Sequence, residues 1–343
     1  MRILVSEFLS SGGLARHTGG ASLAREGLAM LRAVLSDVVD CAGVEAATLV
    51  LPELEPLLPR HPHLHCEIVT PETESVRFRM LARQCSHALV IAPEFDDILA
   101  RRAGWAVEAG AKLLGPTPEA IRATADKLRL AELLQKEGIA TPRTLPWSAG
   151  PCPFPFPVVV KPRDGAGAVA TFLVTDETDY IRCGDRARDE GFSGELLVQP
   201  AFWGTGWTPA SVSFLLGPSD CLPMPICRQL ITLEEGRISY SGGEFPAGGL
   251  NRPDVVDLAL RAVRAVEGLR GYVGVDLALS DEPNASQIIE INPRLTTSYV
   301  GLRRLVRGNL LRAMLGIAEG NRRLPLDFSG EAVTFKGDGT LIE

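Results

Sequence analysis

The chain has 343 residues, 45% of them hydrophobic and 22% charged, with a formal net charge of −7. That size allows two or three packed units with ample core, and the negative balance excludes non-specific nucleic-acid binding, which needs clustered cations to displace counterions. No window supplies the roughly 18 uncharged apolar residues of a spanning helix, so no membrane partner is expected. Met1-Arg2-Ile3-Leu4-Val5 soon meets Glu7 and reads as a first strand instead of a secretory signal, which places the protein in the cytoplasm. The seven cysteines, at positions 41, 66, 85, 152, 183, 221 and 227, form no CxxC pair and fit reduced thiols. Lysine occurs only at 112, 127, 136, 161 and 336, so each lysine can be questioned singly.

In chain order, Ile3–Ser6 predicts a strand, followed by a glycine turn at Gly12-Gly13. Leu23, Leu28, Leu31 and Leu35 recur at helical spacing and predict a helix over about Ala21–Val38. Further strands are predicted at Thr48–Leu51, Glu67–Thr70 and Ala88–Ala92, with helices near Ser75–Gln84 and Asp96–Glu108. This alternation implies an open parallel sheet covered by helices. His61, His63 and His65 are possible metal ligands in spacing that fits no known metal motif, and a polar connection into the next strand explains them as well. Leu114-Gly115-Pro116-Thr117-Pro118 marks a boundary.

Beyond it, helices are predicted at Pro118–Ala125 and Asp126–Glu137, then an extended segment at Ala140–Leu145. The proline-rich run Pro151–Pro157 feeds a strand at Val158–Val160. Strands follow at Thr171–Val174, Leu196–Val198 and Ser211–Leu216, a helix near Pro253–Leu269, and strands at Val273–Leu279 and Gln287–Ile291. From about Asn321 the chain reads as a short closing segment.

Two segments carry chemistry. In Val160-Lys161-Pro-Arg-Asp164-Gly165-Ala166-Gly167-Ala168 a buried strand delivers a lysine directly into a turn with two glycines. Glycines let backbone N–H groups approach phosphate oxygens, and the lysine adds a point charge; the spacing of a P-loop is absent. In the second, Asp276 sits within Val275-Asp276-Leu277, and Glu290-x-Asn292-x-Arg294 places three polar side chains on one face of an apolar strand. Two carboxylates and an amide oxygen make a hard, all-oxygen site suited to Mg²⁺ that leaves positions for phosphate oxygens. Glu7, Ser10, Ser11, Gly12 and Gly13 lie at the first strand-to-helix turn, where parallel sheets bind ligands, and are candidates for substrate binding. Arg228 either binds a substrate carboxylate in bidentate fashion or forms a structural ion pair. Glu94 either reaches the same crevice or is an ordinary helix N-terminal acid, Tyr240–Glu244 reads as a loop over the substrate or a hairpin turn, and Trp203 and Trp207 as an aromatic wall or satellite packing.

The order Asp126-Lys127, Val160-Lys161-Pro162 with its glycine turn, Gln199-Pro200-Ala201-Phe202, Asp276 and Glu290-Ile-Asn292-Pro-Arg294 resembles the ATP-grasp superfamily. The resemblance implies an α/β and α+β fold: a Rossmann-like N-terminal domain over 1–117, an ATP-grasp domain of two subdomains over 118–320 with the nucleotide between them, and a closing segment over 321–343. It implies that Lys127 and Lys161 contact the ATP phosphates, that Gly165, Ala166 and Gly167 cover them, and that Gln199, Pro200, Ala201 and Phe202 line the adenine pocket. Many relatives carry an acid at the position of Gln199. Asp276, Glu290 and Asn292 would hold magnesium, with manganese as a substitute. Arg294 would lie near the transferred phosphate or the acceptor carboxylate.

Ile3–Phe8 with Gly12-Gly13, Val90–Asp96, Ala210–Phe214 and Asn292–Tyr299 resemble the branch that includes the tyramine–L-glutamate ligase of methanofuran biosynthesis. The activity so implied joins a carboxylic acid to an amine through an acyl phosphate, with both partners small molecules and with Lys161, Arg228 and Arg294 acting on the reacting groups. A non-catalytic ATP-binding protein and another amino-acid or dipeptide ligase are the competing readings. A homo-oligomer is compatible with the sequence, which carries no signal for its order.

Overall fold

In a computed structural model, residues 1–13, 21–218, 220–320 and 326–342 are described. The expected start of the closing segment at Asn321 lies outside the described residues. Five strands, β1 (Arg2–Glu7), β2 (Glu45–Val50), β3 (Leu64–Ile68), β4 (His87–Ile91) and β5 (Lys112–Leu113), pair in parallel in the order β3-β2-β1-β4-β5. β4 is buried along its whole length, and β1 and β2 along all but their first residue. These are the near-continuous apolar runs of a parallel sheet covered on both faces. The covering helices are α1 (Ala21–Val39), α2 (Glu74–Ala82) and α3 (Ile98–Glu108). Helix α3 starts two residues later than predicted, because Asp96 and Asp97 adopt left-handed backbone angles (φ 55° and 59°).

The chain then runs through α4 (Pro118–Ala125) and α5 (Lys127–Lys136) into an antiparallel unit. Thr117 and Asp126 cap these helices by accepting from the N–H groups of Ala120 and Arg129, each satisfying a donor that the helix start leaves free. Strands β6 (Leu145–Pro146), β7 (Val158–Pro162), β8 (Phe172–Val174) and β9 (Leu196–Pro200), with α6 (Glu177–Asp189), enclose their own core of Val158, Val160, Phe172, Tyr180 and Val198. A second antiparallel group holds β10 (Trp207–Leu216), β11 (Cys221–Pro223), β12 (Cys227–Glu234) and β13 (Arg237–Phe245). It continues with α7 (Pro253–Arg264), β14 (Gly271–Ser280) and β15 (Gln287–Asn292). After α8 (Ser298–Leu305) and α9 (Leu310–Ala318), β16 (Val333–Lys336) adds to the edge of β13 and pairs with β17 (Leu341–Ile342). The path β15-β14-β10-β12-β13-β8-β7-β9-β6 joins the two antiparallel groups into one sheet.

Several elements differ from the sequence-based expectation. The segment Tyr240–Glu244 is not a loop but part of β13, paired with β12 and β16. The two-residue turn between β12 and β13 is Glu235-Gly236, both with positive φ, the geometry that a twisted hairpin requires. Strand β10 begins at Trp207 instead of Ser211 and pairs with β14 from that residue onward. Strand β3 begins at Leu64, so His65 and Cys66 are strand residues; no group of three or more His, Cys, Asp or Glu able to hold a metal exists among the described residues. No helix among them is long and apolar enough to cross a membrane.

The parallel and antiparallel parts share one hydrophobic core: Ile3, Val5, Leu31 and Leu35 of the first sheet and its helix cluster with Leu215, Tyr272, Tyr299, Leu302 and Phe335. A polar latch reinforces it. Buried Asp37 of α1 accepts hydrogen bonds from the Tyr299 hydroxyl (2.5 Å) and from Nε of Arg303 (2.9 Å), both on α8, and its carbonyl accepts from the Asn309 amide (2.7 Å). A second joint lies where β14 starts. Gly271 has φ 67°, and a Cβ there would collide with the Leu114 carbonyl and sit 2.7 Å from the Gly115 nitrogen. Glycine is therefore required twice over, for its backbone angle and for the close approach. Gly271→Ala is expected to lower stability by roughly 1–3 kcal/mol, measured by chemical denaturation; an unchanged midpoint would show that this joint relaxes freely.

Candidate active site

A cavity of about 270 Å³ opens between the two antiparallel groups. Its walls come from β7, β9, β12, β14, β15, the glycine turn after β7 and the first helix α1. The antiparallel pairing of β14 with β15 sets Asp276 directly opposite Glu290 and Gly274 opposite Asn292. A bulge follows Asp276. Asp276 accepts from the Gln229 amide on Oδ1 and from the Asn292 amide on Oδ2, each at 3.0 Å. Burial, and then the negative charge of Glu290, push the Asp276 carboxyl well above the usual carboxylate range. Burial works in the same direction on Glu290, but the Lys127 and Lys161 ammoniums outweigh it and hold that carboxyl below its ordinary value. Two facing carboxylates with an amide beside them need a proton or a cation between them. Their all-oxygen chemistry fits magnesium or manganese.

The cations arrive from the other antiparallel group. Lys127, the first residue of α5, donates to the Gly165 carbonyl (2.9 Å) and lies 3.5 Å from Glu290 Oε2. Lys161 is 5% exposed at the end of β7. Burial lowers its ammonium to about 8, although Glu290 pulls the other way. In the glycine turn, Gly165, Ala166, Gly167 and Ala168 all line the cavity. Gly167 and Ala168 both have positive φ. None of the N–H groups of residues 165–168 is used in a hydrogen bond among the described residues. Free N–H donors beside two ammoniums form an anion-binding surface. Asp164, read as part of this turn, instead faces a separate charged crevice with Asp126 and Arg163.

Gln199, Pro200 and Phe202 line the cavity, whereas Ala201 does not and turns its N–H to the Pro157 carbonyl. The Gln199 amide donates to Thr144 Oγ1 at 2.6 Å and is thereby fixed. Trp203 lines the cavity; Trp207 packs edge-on against Phe202, with ring centroids 4.8 Å apart, at the start of β10.

Arg294 also lines the cavity and is answered from the first sheet: its Nε lies 2.8 Å from Glu94 Oε1. Glu94 therefore does not serve as a simple helix-start acid, and no side-chain cap bond is made there. The N–H direction misses hydrogen-bond alignment, so the contact is ionic.

Four predicted substrate contacts lie elsewhere. Glu7 is 1% exposed, and its carboxylate accepts from the N–H groups of Leu9 (3.1 Å) and Ser10 (2.6 Å) and from the Ser10 hydroxyl. It is used to shape its own turn, under Gly27 of α1, where any Cβ would strike it. Ser11 donates to the Phe8 carbonyl and to Glu74, itself in a buried pair with Arg102. Gly12 packs on Pro71 and Leu51, and Gly13 on the Phe8 ring. None of the four lines the cavity. Arg228 is corrected as well: it is exposed on β12, and strand alternation turns its neighbour Gln229 inward to Asp276. Sequence reasoning missed Gln229, Tyr240 as a strand residue, and Glu26 of α1, all of which line the cavity. Alternation along β12 would have found Gln229 once that strand was recognised; nothing local marks Glu26.

Replacing Lys161 by Ala removes a buried charge from the anion surface. Affinity for nucleotide triphosphate is expected to fall by roughly tenfold or more, measured by calorimetry with the folded variant; unchanged affinity would remove Lys161 from phosphate binding.

Comparison with known proteins identifies the family. The family described as ATP-grasp domain matches residues 124–298, and that described as pre ATP-grasp 3 domain matches residues 48–121. Tyramine–L-glutamate ligase of Methanocaldococcus fervens is 33% identical over 217 residues, 63% of this chain and 61% of that one. The enzyme of the same name from Methanocaldococcus jannaschii is 32% identical, over 63% of this chain and 58% of its own length. The match thus spans less than two thirds of these curated relatives. The crystal structure of an ATP-grasp superfamily protein from Archaeoglobus fulgidus superimposes with a TM-score of 0.71 at 25% identity, covering 98% of this chain and 92% of that one.

Proposed function

Because this chain belongs to the ATP-grasp family, we propose that it is an ATP- and magnesium-dependent ligase that joins a carboxylic acid to an amine. The observation that carries the reading is the facing pair Asp276 and Glu290, ringed by Lys127, Lys161 and Arg294 beside the unused N–H groups of residues 165–168. In this reading residues 118–320 hold the nucleotide, residues 1–117 complete the substrate end and the described residues 326–342 close the structure.

The adenine lies by Gln199, Pro200 and Phe202, and the phosphates lie between the two lysines and the glycine turn. Asp276, Glu290 and Asn292 would hold the magnesium, which when bound would neutralise phosphate charge. A carboxylate oxygen of the acid forms a bond to the γ-phosphorus while the bond to the ADP oxygen breaks. The amine nitrogen then bonds to the acyl carbon, phosphate departs, and the nitrogen releases its extra proton. No protein nucleophile is required, since phosphoryl transfer rests on positioning and charge neutralisation. Lys127 and Lys161 stabilise charge on the transferred group, and Arg294 faces the acyl end. The name carried by the two Methanocaldococcus relatives suggests L-glutamate as the acid and tyramine as the amine.

A panel of amino acids and amines should give ADP release dependent on both partners, with the amide identified by mass spectrometry. Glu290→Gln should abolish that release while leaving the thermal transition in place. Tight Mg-ATP binding without release from any pair would favour a non-catalytic binder, and near-normal ADP formation by Glu290→Gln would sink the metal assignment. An amide from a different pair would replace the tyramine–glutamate assignment and keep the ligase.

A further inference from the structure

The cavity extends beyond the metal carboxylates to Glu26, which the ligase reading leaves without a role. Its surroundings are firmly built. Gly27 presses α1 onto Glu7 of β1, and a Cβ on Gly339 would meet Ala29. A Cβ on Gly337, in the turn between β16 and β17, would lie 3.6 Å from Glu26 Cγ and 3.8 Å from Tyr240 Cδ1. Three separate segments therefore converge on this end: α1, β13 and the C-terminal hairpin. Tyr240 is held in turn by the Thr297 hydroxyl, which donates to its oxygen at 2.8 Å.

The Glu26 carboxylate has one weak polar partner, the Ser22 hydroxyl at 3.3 Å, and no lysine or arginine among the described residues is in ion-pair contact with it. Arg294, the cation it feels most, is already in contact with Glu94. Burial pushes the Glu26 carboxyl up, as expected of an acid lacking a direct counter-ion. ATP and the reacting end of the acid are anionic, and a carboxylate on the cavity wall repels both. It attracts ammonium groups, which the acceptor amine carries at neutral pH and which an amino-acid substrate such as L-glutamate carries as well, so the KM for the acid separates the two.

Resting on the ligase reading, we propose that Glu26 is the binding residue for the acceptor amine, holding its ammonium group beside the Tyr240 ring until the nitrogen gives a proton to water and attacks as the free amine. The ring offers a face to the cation and a flat surface to an aromatic or apolar body behind it. The Gly337 turn leaves the room that a side chain there would fill. The acceptor class is thus a primary amine presented as a cation, and the discrimination is against neutral and anionic nucleophiles.

The test compares the wild-type chain with Glu26→Gln and Glu26→Asp, using L-glutamate as acid and tyramine, or the panel amine that supports turnover, as acceptor. Hydroxylamine serves as a nucleophile that is uncharged at neutral pH. For Glu26→Gln the KM for the cationic amine should rise by roughly tenfold or more, with the KM values for ATP and acid unchanged. Hydroxamate formation from hydroxylamine should continue at the wild-type rate, and Glu26→Asp should recover part of the amine affinity. An unchanged amine KM overturns the proposal. So does a parallel loss of the amine and hydroxylamine reactions, which would assign Glu26 to the fold of the site. A wild-type chain that forms neither amide nor hydroxamate with any acid fails the ligase reading itself, and this inference falls with it.

Discussion

The site depends on one antiparallel register, that of β14 against β15, which sets Asp276 across from Glu290. Two carboxylates forced together in a partly buried cavity repel one another, and the repulsion is offset only by what surrounds them. Asn292 and Gln229 donate to Asp276, and Lys127 and Lys161 draw down Glu290. Both lysines come from outside the β14–β15 group, one at the start of α5 and the other at the end of β7. A one-residue slip in the register would move the polar face of β15 away from the cavity. The apolar neighbours Val275, Ile288 and Ile291, all buried, hold it in place.

This explains why the Asp276–Glu290 side of the cavity was legible in the sequence. A polar residue on an otherwise apolar strand is conspicuous, and Glu290, Asn292 and Arg294 recur at the strand period. Lys161 stands out for the same reason, among the few lysines of an arginine-rich chain, with glycines directly after it. The parallel sheet was legible too, since buried strands and amphipathic α1 leave strong periodic patterns. The β12–β13 hairpin was not: its residues mix apolar, polar and charged types, and its register carries a shift at Leu230/Ile231. Glu235-Gly236 was the available sign of a tight turn. With the hairpin unread, the inward Gln229 on β12 could not be separated from its outward neighbour Arg228.

The substrate end was the least legible because it is assembled from distant segments. Glu7 and Ser11 stand where a parallel sheet commonly binds ligands, yet their polar atoms are consumed within the turn and by Glu74. The first sheet reaches the cavity instead through Glu94, after β4, and through Glu26, on the helix after that turn. Neither has a local signature, since an acid on a helix face is ordinary and only its tertiary neighbours give it meaning.

The Asp37 latch has a mechanical consequence. It fastens α1 to α8, and the shared core fuses the first sheet to the group that carries Asp276 and Glu290. These parts therefore behave as a single rigid body. The strands β6 to β9 with α6 keep a core of their own, so a shift of that unit against the rigid body leaves both cores intact. Its rim is the glycine turn, which meets the rigid body where Gly167 faces Leu23 of α1. That contact holds the unused N–H groups and buried Lys161 on the same side of the cavity as the facing carboxylates.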